Sequence, residues 1–340
     1  VTGAEAEQLL RLAEDAGAQL GGLDAKPAAA RLESRCQELG EALSWFAGHG
    51  RAEESLRMAV ALVDFWQSTG RIAQGRDYFG RALSVPGAGD GLRAEALFHA
   101  GLLAFWQGED EAAQDLHQQS LDLSRCLGDP TGTALALTGL ARIALRSDLD
   151  RAQELSQQAL DTVAGCGEER GRSNALHLLG VTAQMKGELE EARGWMTQRL
   201  ELARRTGAYR AAAAEASNLS VVERQLGNLS QARDLASEGL SLAARRGDDW
   251  MIPYCLNDLA AIAVAEGDHT RAAILLAAAG RLMAEQGTAW PPDEAPHFER
   301  SKAAAAQTLG PAEFEQAWSH GQALPGPNAI VLALGSRPAR

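Results

Sequence analysis

Residues 170–207 read RGRSNALHLLGVTAQMKGELEEARGWMTQRLELARRTG. The skeleton of this stretch is Gly180, Gly187 seven residues on, Ala192 five further, then Leu200 and a closing Gly207. Forty residues later the same skeleton returns as Ser220, Gly227, Ala232, Leu240 and Gly247, and after another 40 as Ala260, Gly267, Ala272 and Gly287. Going backwards, Ala152, Leu160 and Gly167 match, with Ser147 at the turn position. Gly101, Gly108, Ala113, Leu121 and Gly128 match one copy earlier, and Gly70, Gly75, Ala82 and Leu83 form a worn first copy. A fixed period in this range is the signature of stacked supersecondary units.

Within one unit, Leu176, Leu179, Val181 and Met185 have helical spacing, as do Leu189, Ala192, Trp195, Met196, Leu200 and Leu202. Lys186-Gly187-Glu188 separates them and reads as a tight turn. The unit is therefore two antiparallel helices, with Gly180 and Ala192 small enough for close backbone approach. One hairpin cannot bury its own apolar face, so each stacks on the next. The pattern resembles the tetratricopeptide repeat: a small residue, seven to the turn, five to alanine, seven to another small residue. That last position is Ser120, Ala159, Gly239 and Ala279 in four copies but Arg199 in this one. The expected fold is all-α: a right-handed superhelical solenoid of tetratricopeptide-like hairpins with a period of about 40 rather than 34.

Composition agrees. The 340 residues are rich in good helix formers, and aromatics are 5%. Lys and Arg number 32 and Asp and Glu 45, a net charge of −13, which argues against direct binding to nucleic acid or an anionic membrane surface. No apolar run approaches a membrane span. The start, VTGAEAEQLL, has neither an initiator Met nor a signal-peptide core, so a segment of a longer cytoplasmic polypeptide is expected. Cys36, Cys126, Cys166 and Cys255 lie far apart, and buried free thiols are expected rather than disulfides.

Four regions follow: an N-terminal helical cap over 1–50, repeats over 51–286, capping helices over 287–324, and a Pro- and Gly-containing tail over 325–340. The cap reads as one helix over 3–21 and another from Pro27 to about Gly48. A helix over 52–69 pairs with 72–84. Full hairpins are expected at 92–127, 131–165, 170–206, 210–246 and 249–286. Trp290-Pro291-Pro292 breaks the array, helices near 293–309 and 311–320 cap it, and the tail is expected to be partly disordered, with Ile330–Leu334 able to dock.

A narrower resemblance appears at the two ends. Ala42-Leu43-Ser44-Trp45, then Ala59, Phe65-Trp66-Gln67-Ser68-Thr69-Gly70 and Gly75-Arg76, looks like the segment that follows the winged helix in bacterial signal-transduction ATPases with tandem repeats, the maltose regulator and its LuxR-type relatives among them. Leu309-Gly310-Pro311-Ala312-Glu313-Phe314 and Ala317-Trp318-Ser319-His320-Gly321 resemble the close of such arrays. The resemblance covers most of 31–324. It implies a sensor or arm region that receives an inducer or a partner protein and controls a neighbouring ATPase. G-x-x-x-x-G-K-[ST] is absent and no LuxR-like helix-turn-helix follows Leu324, so neither ATPase nor DNA-binding activity carries over to these residues.

No catalytic constellation emerges, and no enzyme activity, cofactor or metal is expected. The seven histidines form no H-x-x-x-H or H-E-x-x-H, and no cysteine pair has ligand spacing. Gly87-Ala88-Gly89 follows no strand and reads as an inter-repeat loop. Glu109-Asp110-Glu111 and Glu188 to Glu191 suit the positive ends of second helices. Asn218-Leu219-Ser220 and Asn228-Leu229-Ser230 match a glycosylation sequon by chance.

Binding is the more informative reading. In stacked hairpins of this type the first helices line a concave face. The inward positions give Phe98, Phe105 and Trp106 in the Gly101 unit, Asn174, His177, Gln184 and Met185 in the Gly180 unit, then Ser217, Arg224 and Gln225, then Tyr254 and Asn257. Aromatics mixed with amides and one arginine suit a groove for a protein or peptide partner or a small-molecule inducer. Phe105, Trp106 and Met185 also fit inter-helix core, and Arg224 could pair internally with Asp258. Two functions stay open: a ligand- or partner-sensing interaction module of a bacterial transcriptional regulator, or a scaffold for protein assembly without small-molecule sensing. Homo-oligomerisation stays open with both.

Overall fold

The computed structural model describes residues 1–23, 25–167, 169–286, 290 and 295–335. Among them the regular structure is helical throughout. The chain divides into two compact units, Val1–Ala208 and Tyr209–Arg340.

The first unit begins with α1 (Gly3–Leu20), whose start is fixed by a reciprocal cap between Thr2 and Glu5. The expected helix from Pro27 is two helices, α2 (Ala25–Ser34) and α3 (Cys36–Gly48), broken at Arg35, where φ is −118° and ψ is 14°. The expected 52–69 helix is likewise two, α4 (Ala52–Ala61) and α5 (Val63–Ser68), broken at Leu62. After α6 (Ile72–Ser84) come three regular hairpins. They are α7 (Asp90–Trp106) with α8 (Asp110–Leu127), α9 (Pro130–Ala144) with α10 (Leu149–Thr162), and α11 (Glu169–Lys186) with α12 (Leu189–Thr206).

The repeat stencil has direct physical content. Gly187 takes φ +81° in the turn and Gly207 takes φ +69° after the second helix, a region that a side chain disfavours. A Cβ on Gly180 would lie 2.7 Å from Met196 Cγ and 3.5 Å from the Met196 backbone nitrogen, so glycine lets α11 and α12 meet. Ala192 is fully buried. Arg199, where the stencil wants a small residue, is almost wholly buried and donates from Nε to the Ser173 carbonyl at 3.0 Å. Successive hairpins are stitched at their turns. Arg146 reaches Asp110 of the preceding hairpin at 2.5 Å, and Lys186 reaches Asp150 at 2.5 Å.

The second unit holds α13 (Tyr209–Gln225) with α14 (Leu229–Arg246) and α15 (Met251–Ala265) with α16 (His269–Glu285). Next is α17 (Ala295–Ala323), bent at Gly310 (φ 74°, ψ 168°) just before Pro311, as the expected pair of capping helices requires. The tail differs from expectation. Residues 326–334 form α18 (Gly326–Leu334), which buries Ala329 and Ala333 and is held by Arg271 donating to the Ala333 carbonyl at 2.7 Å. Gly287, Pro291, Pro292 and residues 336–340, which carried parts of the sequence reading, lie outside the described residues.

The cysteines are free, but only Cys255 is buried. Cys36 is half-buried and Cys126 and Cys166 are exposed, which corrects the expectation of four buried thiols. No described helix is long and apolar enough to cross a membrane.

Candidate binding surfaces on the first helices

In the first unit the expected groove residues part company. Phe98 is 3% exposed and packs against the His99 ring at 5.2 Å and the His117 ring at 5.6 Å. It shares a helix face with Gly101, where an added Cβ would strike His117, so it belongs to the α7–α8 core and is not open to a ligand. Phe105 is half-buried beneath the Arg146 guanidinium, 4.2 Å from its ring centroid. Trp106 and Met185 are 43% and 53% exposed, so neither is the inter-helix core that their spacing also allowed. Each stands two residues before a turn glycine. Asn174, His177 and Gln184 are half-buried.

A bridge missed by sequence spacing crosses this unit. Arg170 at the start of α11 donates to Glu95 at 3.1 Å and to His99 Nε2 at 2.9 Å, both on α7. The contact skips the intervening hairpin. His99, with Arg170 held against Nε2, is pushed below its ordinary value by burial, while the Glu95 carboxyl is held down to about 2 by His99 and then Arg170.

The second unit assembles a more suggestive set. Ser217 on α13 donates its hydroxyl to the Asp258 carboxylate on α15. Arg224, also on α13, is half-buried. Burial pushes its guanidinium down, Asp258 pulls it up, and the like charge of Arg300 on α17 pushes it down again. Arg224 forms no ion pair or hydrogen bond with a described residue, so the internal pair with Asp258 that the sequence allowed is an attraction at a distance. Gln225 is exposed. Tyr254 is half-buried, edge-on to Trp290 at 5.5 Å and 6.1 Å from Trp250. Asn257 is 3% exposed and its Oδ1 has no donor among the described residues.

The sequence reading missed Arg300, Trp250 and Trp290 here. The signal was present: Trp290 lies 40 residues after Trp250, and Arg300 lies 40 after Ala260, at the small-residue position of a further copy. No group of three or more metal-ligating side chains gathers among the described residues. What the second unit offers is a partly desolvated cation and, elsewhere on it, a group of half-exposed aromatic rings. The first can hold an anionic group and the second an apolar one.

Comparison with known proteins agrees on the repeat. The tetratricopeptide repeat family matches residues 92–164. No curated protein matches the sequence. Among solved structures, a Rap protein complexed with competence and sporulation factor is 14% identical, with 94% of this chain and 95% of that one covered and a TM-score of 0.56. The Rap conjugation gene regulator of plasmid pLS20, in complex with the Phr* peptide, is 13% identical over 75% of this chain and 74% of that one, with a TM-score of 0.54. A signal transduction ATPase with a tetratricopeptide repeat sensor from Pyrococcus horikoshii is 10% identical over 85% of this chain, which spans 44% of that one, with a TM-score of 0.54. At these identities the likeness is one of fold: a solenoid of tetratricopeptide-like hairpins.

Proposed function

We propose that this chain is the partner-sensing module of a bacterial transcriptional regulator. It binds a peptide or a protein segment on the first-helix face of the second unit. The observation that carries this reading is Arg224: a half-buried guanidinium with no ion pair among the described residues, opposed by Arg300 and flanked on α15 by Asp258. A cation drawn out of water without a bonded anion gains from a ligand that supplies one. Tyr254 and Trp290, edge-on to each other, add half-buried apolar surface on the same unit. The fold likeness to two Rap proteins solved with bound factor or peptide, and to an ATPase with a repeat sensor, supports the same reading.

The test begins with a library of short peptides bearing free C-termini and the same library amidated. Peptides retained by the protein are measured by calorimetry against wild type, Arg224→Ala and Arg233→Ala, the last removing a side chain paired with Glu266 instead. A charge-assisted bond at Arg224 contributes roughly 1.5–3 kcal/mol. Its loss should weaken binding by about 10- to 150-fold. Equal affinity for wild type and Arg224→Ala, or loss in Arg233→Ala alone, places the site elsewhere and ends this reading.

A further inference from the structure

The turn edge of the first unit carries a second surface. Three successive first helices end on a large apolar residue two positions before the turn residue: Trp106 before Gly108, Leu145 before Ser147 and Met185 before Gly187. Trp106 is 43% exposed, Met185 53%, and Leu145 is half-exposed. Scattered surface apolar residues mean little, but three at one structural offset form a strip. The three turns adjoin. Arg146 bonds Asp110 and, at 3.3 Å, the carbonyl of Phe105, while Lys186 bonds Asp150 and Gln153. In the second unit the same offset holds Gln225 and Ala265, so the strip belongs to the first unit alone.

The rim of this strip is acidic. The turns and first helical residues that follow it, 106–111, 145–151 and 185–193, hold eight carboxylates and four cations. All four cations are already committed: Arg146 to Asp110, Lys186 to Asp150, Arg151 to Glu154 and Arg193 to Glu190. Glu111, Glu188 and Glu191 are exposed and form no ion pair with a described residue. An apolar strip inside a net negative rim suits a partner with apolar residues set among Lys and Arg.

Spacing selects the partner's conformation. Packed helices lie roughly 8–10 Å apart, so successive strip residues recur at about that interval. Residues seven apart on an α-helix recur on one face at about 10.5 Å. Same-face residues of an extended chain recur at roughly 6.7 Å or twice that, which misses the interval. We propose that the turn edge of the first unit, centred on Trp106, Leu145 and Met185, is a docking surface for a basic amphipathic helical segment of a partner protein. It is separate from the peptide site above, and either can fail alone.

The probe is a labelled helical peptide with Leu at every seventh position of one face and Lys on the flanks, followed by fluorescence anisotropy with the full chain. Two companions replace Lys by Glu, or Leu by Ser. The Lys–Leu peptide should bind and both companions should not. The double variant Trp106→Ser/Met185→Ser, which leaves the net charge unaltered, should lose about tenfold or more in affinity. Because both residues are exposed, its melting temperature should stay that of wild type. Glu111→Lys/Glu191→Lys should weaken binding and flatten its salt dependence, while Arg224→Ala should bind the peptide as wild type does. Three outcomes overturn the proposal: no binding of the Lys–Leu peptide, equal binding by the double variant, or a wild-type dimer that the double variant converts to monomer in sedimentation. The last would make the strip a self-interface.

Discussion

Acid should loosen the first unit through one residue, His117. This imidazole is wholly buried in α8, wedged between two glycines: a Cβ on Gly101 would lie 2.6 Å from its Cε1, and one on Gly139 2.4 Å from its Nδ1. Neither ring nitrogen has a hydrogen-bond partner among the described residues. Facing it are Phe98 and His99 from α7 and Arg142 from α9, with no carboxylate among the groups that act on it. Burial first, then Arg142 and His99, push it down to about 3. A folded value below the unfolded 6.5 means the stabilising state is the neutral ring. That stability is complete above about pH 6.5 and drains away as pH falls toward 3. Linkage puts the loss from His117 alone at about 2 kcal/mol between pH 7 and pH 5. His99 is lowered in the same direction and adds to it. Urea unfolding followed by far-UV circular dichroism at pH 7, 6 and 5 measures the slope. His117→Leu removes the titration while keeping an apolar filler between the glycines, so the wild-type loss should shrink by about 2 kcal/mol in the variant. An unchanged slope would refute the assignment of this acid sensitivity to His117.

Two glycines, one against His117 and one in open space, make a matched pair of tests. Gly139→Ala drives a methyl into a ring already pinned by Gly101 and should cost about 1–3 kcal/mol. Gly194→Ala, at an exposed point of α12 with nothing within 4 Å, should instead gain about 0.5–1 kcal/mol in the same urea assay. Arg170→Ala should destabilise the first unit by about 1–3 kcal/mol, because it takes a partner from the buried His99 ring. Arg205→Ala breaks an exposed pair with Glu169 and should cost under about 1 kcal/mol. Asn257→Leu removes a buried carbonyl oxygen that lacks a donor, so the melting temperature of the free protein should hold or rise, and a drop would show that the amide is satisfied.

The repeats were legible because the residues that define them act locally. A glycine at positive φ and an alanine with no exposed surface leave the same mark in each copy, and the hairpin boundaries followed to within a few residues. The stretch from α2 to α5 was less legible. Arg35 and Leu62 are ordinary helix formers, so nothing local announces the breaks that split two expected helices into four. The tail misled for the opposite reason. Pro325 and Pro327 helped mark the tail as partly disordered, yet proline at the first helical positions is a good start, and α18 begins there. The surface residues fall between these cases. Period alone marked Phe98, Arg224, Tyr254 and Asn257 as inward positions, but could not foresee that Phe98 and Asn257 are buried, which depends on the neighbour each helix meets.

Departures from the stencil carry more information than its repetitions. Small residues at the close-approach positions are required by packing and say nothing about partners. Two of those positions hold arginine instead, Arg199 in one copy and Arg300 in the copy beyond Ala260. A long cation at a close-approach site costs packing, and each must settle its charge in some way. Arg199 settles it internally, donating to the Ser173 carbonyl while almost wholly buried. Arg300 does not: its side chain is exposed, its hydrogen bond goes to a ring nitrogen of His297 at 2.8 Å and not to a carboxylate, and its charge opposes Arg224. The first arginine is therefore part of the core, and the second leaves positive charge exposed near Arg224. In a chain of net charge −13, two mutually repelling arginines are what the proposed site would offer a negatively charged partner.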